Sequence, residues 1–252
     1  MGAVSRIALL GLVGVALLAA PADARRRARK APKCDSNRYG CVGGHSPAYY
    51  DKRVRVLWRP GKGYDRGCLK RLRRAGIRYR LLGRVKGVQT PIEVQAKRIG
   101  GVLYRKSWNN KRRFILDCKT VEVLAVMGRE IRRAGIASIY YSSTWRYSYV
   151  KGTRRLSKHA SGRAIDIVAI DGGFGYASVL RHYERGVWGC GARNKTARGK
   201  AFRRLLCALK KRRAFRTVYT PDYDRYHRDH YHVDWPNPGI KLKPRARRGR
   251  RR

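Results

Sequence analysis

The apolar positions fall into two periods along the chain. From Asp65, the residues Cys68, Leu69, Leu72 and Ala75 recur on one helical face, and Gly76 suits a left-handed stop. A longer helix is expected beyond Thr120, which is read as its cap. Val123, Leu124, Met127 and Ile131 form its stripe, and Gly135 ends it. Phe202, Leu205, Leu206 and Leu209 mark a third helix. Strand-like runs lie at 113–117 (RFILD), 137–143 (ASIYYSS), 163–170 (RAIDIVAI), 215–220 (FRTVYT) and 230–235 (HYHVDW). Residues 91–97 and 102–106 flank Gly100-Gly101 and read as a β-hairpin. This order predicts an α+β domain with a mostly antiparallel sheet packed with helices.

The first 60 residues follow neither period. Arg6 precedes IALLGLVGVALLAA at 7–20, and Ala22-Asp23-Ala24 supplies a small-x-small triplet. Residues 1–24 therefore read as a secretory signal peptide. At 1.5 Å per residue the run spans only about 21 Å, short of the roughly 30 Å apolar layer of a bilayer. No transmembrane helix is expected in the mature chain, and the signal points to export out of the cytosol. Residues 25–60 read as an irregular basic arm, 61–240 as the folded domain and 241–252 as a disordered basic tail. Export also permits disulfides. Six cysteines leave the pairing open. Cys34–Cys41 and Cys190–Cys207 are the local candidates, and Cys68–Cys118 would tie one predicted helix to the start of another.

Charge narrows the partners. The chain has 252 residues, with 62 Lys and Arg against 15 Asp and Glu, for a net charge of +47. Six basic residues lie in 25–33 and eight in 241–252, yet the stretch between Cys34 and Ile240 still carries about +33. Such a surface attracts polyanions: nucleic acid, anionic envelope polymers or anionic head groups. With 43% hydrophobic residues, it is not a wholly disordered basic tail. A nucleic-acid role has no recognised motif behind it, and the signal peptide argues against it, so no nucleic-acid partner is expected.

Only six histidines occur, and four sit in two clusters, SKHASGRAID at 157–166 and HRDHYHVD at 227–234. In a strand, His230 and His232 share a face, while Asp229 falls on the other and reads as structural. His227 lies on the turn into the strand. Asp166 lies inside an apolar run and needs a partner. If the two strands are neighbours, His159, Asp166 and His232 supply three ligands and leave a fourth position open, as in a catalytic zinc site. His230 is a candidate proton acceptor and Asp234 a candidate to orient a ligand imidazole. His45 and His182 read as surface residues.

The pattern Ser157-x-His159-x-x-Gly162-x-Ala164-x-Asp166 resembles the first zinc motif of the D-alanyl-D-alanine carboxypeptidase and dipeptidase clan, and His230-x-His232 its second. The nearer likeness is to the bacterial extensin-like C-terminal domain family. Its pattern resembles Gly152-Thr153-x-Arg155-x-Ser157-x-His159-Ala160-x-Gly162 followed by His227-Arg228-Asp229-His230-x-His232. That likeness spans about residues 68–235, including Gly101-Val102-x-Tyr104-Arg105 and Asp117-Cys118. The HxxHxH spacing also resembles penicillin-insensitive murein endopeptidases.

The resemblance implies a zinc-peptidase (D-Ala-D-Ala carboxypeptidase or hedgehog-like) architecture. The implied protein is an exported zinc-dependent, peptidase-like hydrolase acting on peptidoglycan peptides. It implies Zn²⁺ on His159, Asp166 and His232. His230 stands where the general base acts, Arg146 of Ser143-Thr144-Trp145-Arg146 is the arginine that meets substrate, and Ser157, His227 and Asp234 support the site. The competing expectation is a catalytically silent zinc-containing domain that binds cell wall.

Overall fold

The computed structural model describes residues 63–108, 112–187 and 189–243. The expected signal peptide, the basic arm, Cys34–Cys41, His45 and most of the basic tail lie outside those residues. Four helices are present among them: α1 (Arg66–Arg74), α2 (Cys118–Arg133), α3 (Val179–His182) and α4 (Ala197–Lys210). Ten strands accompany them: β1 (Tyr79–Leu81), β2 (Pro91–Val94), β3 (Arg98–Ile99), β4 (Val102–Lys106), β5 (Ile115–Asp117), β6 (Ile136–Ser143), β7 (Ala164–Gly172), β8 (Ala177–Ser178), β9 (Phe215–Tyr219) and β10 (Tyr231–Pro236). The fold is α+β and antiparallel-rich, as the periodicity predicts.

The larger sheet runs β3-β4-β6-β7-β10-β9, with β8 on β7, and only β4 and β6 pair in parallel. A smaller antiparallel sheet runs β1-β2-β5. The expected hairpin of 91–97 with 102–106 is therefore corrected. Residues 91–94 join the small sheet, and the strand that turns back at Gly100-Gly101 is the two-residue β3. The reason is local: α2 passes so close to the turn that a Cβ at Gly128 would overlap the Gly100 carbonyl. The tight turn thus docks on α2, and the chain before it is left to pair elsewhere.

α2 is buried along most of its length and packs against α1, α4 and strands β6 and β10. Its cap is Asp117, not Thr120. The Asp117 carboxylate accepts from Lys119 N at 3.0 Å and from Thr90 N at 2.9 Å. Thr120 instead donates its hydroxyl to the Gly162 carbonyl at 2.9 Å. Strand β5 thus runs into α2 with no loop. Gly135, at φ +84°, ends that helix as expected.

Two disulfides are formed, Cys68–Cys118 between α1 and the start of α2, and Cys190–Cys207 between a loop and α4. No helix of the described residues is long and apolar enough to cross a membrane.

Candidate metal centre

Two strand pairings bring the chemistry together. On β7, Asp166 sits directly opposite His232 of β10 and, on its other side, opposite Ser143 at the end of β6. Cross-strand partners of this kind share a face and stand about 5 Å apart. His159 arrives differently, on a short 3-10 turn (Lys158–Ser161) that leads into β7. Ser157 caps that turn, its hydroxyl accepting from His159 N at 3.3 Å.

Gly162 closes the turn in the left-handed region, at φ +65°. A side chain there is excluded, because a Cβ would lie 2.6 Å from Asp117 N. Its carbonyl accepts from Asp117 N at 2.9 Å as well as from Thr120. The reversal folds His159 back over Asp166.

Three ligand-type atoms converge. His159 Nε2 lies 3.1 Å from Asp166 Oδ1 and 3.2 Å from His232 Nδ1, and His232 Nδ1 lies 2.8 Å from Asp166 Oδ1. All three residues are buried or nearly so. The outer atoms of the rings fix their proton positions. His159 Nδ1 donates to the Thr144 carbonyl, which can only accept, so Nε2 faces the centre. His232 Nε2 is 3.2 Å from Asp234 Oδ2, which leaves Nδ1 facing the centre. With both rings neutral, two imidazole lone pairs and a carboxylate oxygen then meet. Such a group is repulsive unless a proton or a cation sits among them.

The pKa shifts express this demand. Burial dominates His159 and pushes its pKa down, against the pull of Asp166. Burial also opposes a charge on His232, but hydrogen bonds to Asp166 and Asp234 outweigh it and raise the ring to about 10. Burial alone would raise Asp166, yet the two imidazoles hold it well below the usual carboxylate range. The arrangement favours an anionic Asp166 with positive charge lodged against it.

Around this triad stand the half-exposed groups. His230 Nε2 lies 3.7 Å from Asp166 Oδ1, and its Nδ1 is 2.8 Å from Asp229 Oδ1. Asp229 therefore touches the site, which corrects its assignment to the opposite face. Strand β10 begins only at Tyr231, so alternation does not reach back to residues 229 and 230. Arg146 Nη2 lies 3.6 Å from Asp166 Oδ2. Its Nε donates to Ser143 Oγ at 3.1 Å and its Nη1 to Ser148 Oγ at 3.5 Å.

His227 lies outside the three-atom cluster. Its Nδ1 is 2.8 Å from Asp224 Oδ1, and its ring centroid lies 5.1 Å from that of His230. Burial lowers its pKa. Tyr219 stacks on His232, with centroids 5.9 Å apart. His182, expected at the surface, is half-buried and accepts the Ser178 N–H at 3.1 Å.

Asp229, Ser143, Ser148 and the Thr144 carbonyl were not singled out by the sequence. Asp229 carried the one usable signal, its adjacency to His230 at a turn.

No curated protein and no solved structure matches the chain. One family model does, over residues 67–242, and its description is Extensin-like protein C-terminus. The matched span holds the triad, His230 and Arg146, and it covers most of the 252 residues. The chain belongs to the extensin-like C-terminal family.

Proposed function

We propose that the protein is an exported zinc-dependent hydrolase of peptide bonds in peptidoglycan stems or cross-links. Its fold would be a variant of the D-Ala-D-Ala carboxypeptidase and hedgehog-like architecture. The observation that carries the reading is the meeting of three ligand-type atoms, from two buried or nearly buried histidines and a buried aspartate, beside half-exposed His230 and Arg146.

The donor set fits zinc. Tetrahedral zinc with ligand bonds of about 2.0–2.2 Å separates its ligand atoms by roughly 3.3–3.6 Å. The three separations here, 2.8, 3.1 and 3.2 Å, are shorter than that range, so the side chains would part by a few tenths of an ångström around the ion. His159, Asp166 and His232 would hold the ion. The Thr144 carbonyl and Asp234 orient the two rings from behind, as outer partners of metal-bound histidines do. When bound, zinc supplies an acidified water and polarises a carbonyl oxygen.

The remaining steps fall to the chain's own side chains. With its Nδ1–H given to Asp229, His230 presents the Nε2 lone pair on the side of the triad. There it takes a proton from the attacking water and returns it to the leaving amine. Arg146, braced by Ser143 and Ser148, holds a substrate carboxylate or the developing oxyanion. The two disulfides suit an exported protein.

The test is incubation of purified, zinc-loaded full chain with muropeptides, followed by mass spectrometry. Release of D-alanine or splitting of cross-linked dimers is the expected result. Intact muropeptides together with equimolar bound zinc would favour the silent wall-binding domain. A chain that binds no zinc overturns both readings.

A further inference from the structure

Among the described residues nine large apolar or aromatic side chains are exposed, and four of them, Tyr147, Tyr149, Leu156 and Tyr226, lie in the two loops that flank the candidate metal centre. Exposed apolar groups gathered in one place mark a binding surface, whereas scattered ones do not. The stretch 144–163, which contains three of the four, carries six basic residues and no acidic one.

The surface is built rather than loose. Tyr149 and Leu156 face each other across an antiparallel bridge, with Val150 N on Arg155 O at 2.8 Å and Ser157 N on Ser148 O at 2.9 Å. Gly152, at φ +73°, makes the tip of this hairpin. Lys86 Nζ lies 4.0 Å over the Tyr147 ring. Lys151 Nζ lies 4.5 Å over the Tyr226 ring and so joins the hairpin to the second loop. On Tyr226 the Arg225 guanidinium also rests, donating to its hydroxyl at 2.9 Å. Two exposed tyrosines thus each carry a cation at hand.

We propose that this tyrosine–cation rim binds an acidic polysaccharide. Exposed tyrosine surface suits the C–H faces of sugar rings, and Lys86, Lys151 and Arg225 beside it offer cations to the carboxylates of such a polymer. Charge complementarity selects an anion, since the chain carries +47. Single-stranded nucleic acid also stacks on aromatics. The disulfides favour a glycan, because they persist in oxidising compartments outside the cytosol. None of the rim residues named here is a triad residue, His230 or Arg146, so the inference stands whether or not the zinc hydrolase reading holds.

The test uses the full chain, zinc-loaded and again after EDTA, titrated with polygalacturonate, with neutral dextran and with oligo-dT. Polygalacturonate is expected to bind in both metal states and dextran in neither. Replacing Tyr147 and Tyr226 together by Ala is expected to weaken polygalacturonate binding about tenfold, with the salt dependence kept. Lys86→Ala with Lys151→Ala is expected to flatten that salt dependence. Tyr149→Ala serves as a second variant if the double replacement lowers the melting temperature.

Three outcomes overturn the proposal. One is tyrosine variants that bind like the parent, which would leave only diffuse charge. Another is tighter binding of oligo-dT than of polygalacturonate with the same tyrosine dependence, which would make nucleic acid the occupant. The third is loss of polygalacturonate binding on EDTA treatment, which would move the polymer to the metal centre.

Discussion

The two halves of the candidate centre are held by different means. His159, Asp166 and His232 are buried or nearly so and sit on or beside paired strands, and the outer nitrogens of the two imidazoles are engaged by a backbone carbonyl and a carboxylate. His230 and Arg146 are half-exposed and stand on loops, hydrogen-bonded by neighbouring side chains, Asp229 for one and Ser143 with Ser148 for the other, with Asp166 at the longer distances of 3.7 and 3.6 Å. The contrast is a division of labour. A group that must keep three acceptors together needs a rigid frame, because each would rather turn away. A group that exchanges protons or meets substrate needs access to water.

Breaking each half should give separable defects. Asp166→Ala removes the anion on which both imidazoles converge, and it carries the largest expected effect. Bound zinc, read by elemental analysis, should fall from about equimolar to near zero, and muropeptide cleavage should fall with it, by at least about a thousandfold. His230→Ala should instead keep its zinc while turnover drops about 10²- to 10⁴-fold. If that variant loses metal as well, His230 is a ligand and the two halves are not distinct. If it cleaves normally, another group accepts the proton.

The buried half was also the legible half. Asp166 is legible as a carboxylate inside an apolar strand, and His232 by its alternation along β10. Both signals come from periodicity, which the sheet enforces. The long helix was legible for the same reason. What stayed hidden has short range or no period. Strand β1 is three residues, and β3 is two. Asp117 served as the end of a strand and the cap of a helix at once, so pattern reading assigned it to the strand and passed the cap to Thr120. Alternation places Asp229 on the far face, but the strand does not reach back before Tyr231. The Thr144 carbonyl is backbone, and no residue identity announces it.

Of the two disulfides among the described residues, one adjoins the frame. Cys118 follows Asp117, whose N–H holds the Gly162 carbonyl behind the His159 turn. Cys190–Cys207 fixes a loop onto α4 instead. The first closes 50 residues and the second 17. Loop-closure entropy alone then assigns them about 4 and about 3 kcal/mol. Cys118→Ser with Cys68→Ser should cost more in urea denaturation than Cys190→Ser with Cys207→Ser. It should also weaken zinc binding, which the second pair should leave intact. Equal zinc affinity in both would show that the frame does not depend on the α1–α2 link.

The smallest effect concerns Asp117 itself, which is 1% exposed. Burial pushes its carboxyl up to about 6, and nearby Asp65 adds to the rise. The Thr90 and Lys119 N–H groups and the Arg163 charge oppose it. A folded carboxyl above its ordinary value of 3.8 binds its proton more tightly than the unfolded chain does. Its contribution to stability is therefore fully present at low pH and is lost as pH rises from about 4 through about 6. Other carboxylates titrate over the same range, so the readable quantity is the difference between parent and Asp117→Asn. Asparagine keeps an acceptor for one N–H but loses the titration. Near pH 4 the variant should be less stable by about 1 kcal/mol, the typical worth of a helix cap. That gap should narrow steadily towards pH 7. A gap that widens instead would mean that the N–H groups and Arg163 outweigh burial. The charged carboxylate would then be the form that holds β5, α2 and the His159 turn together.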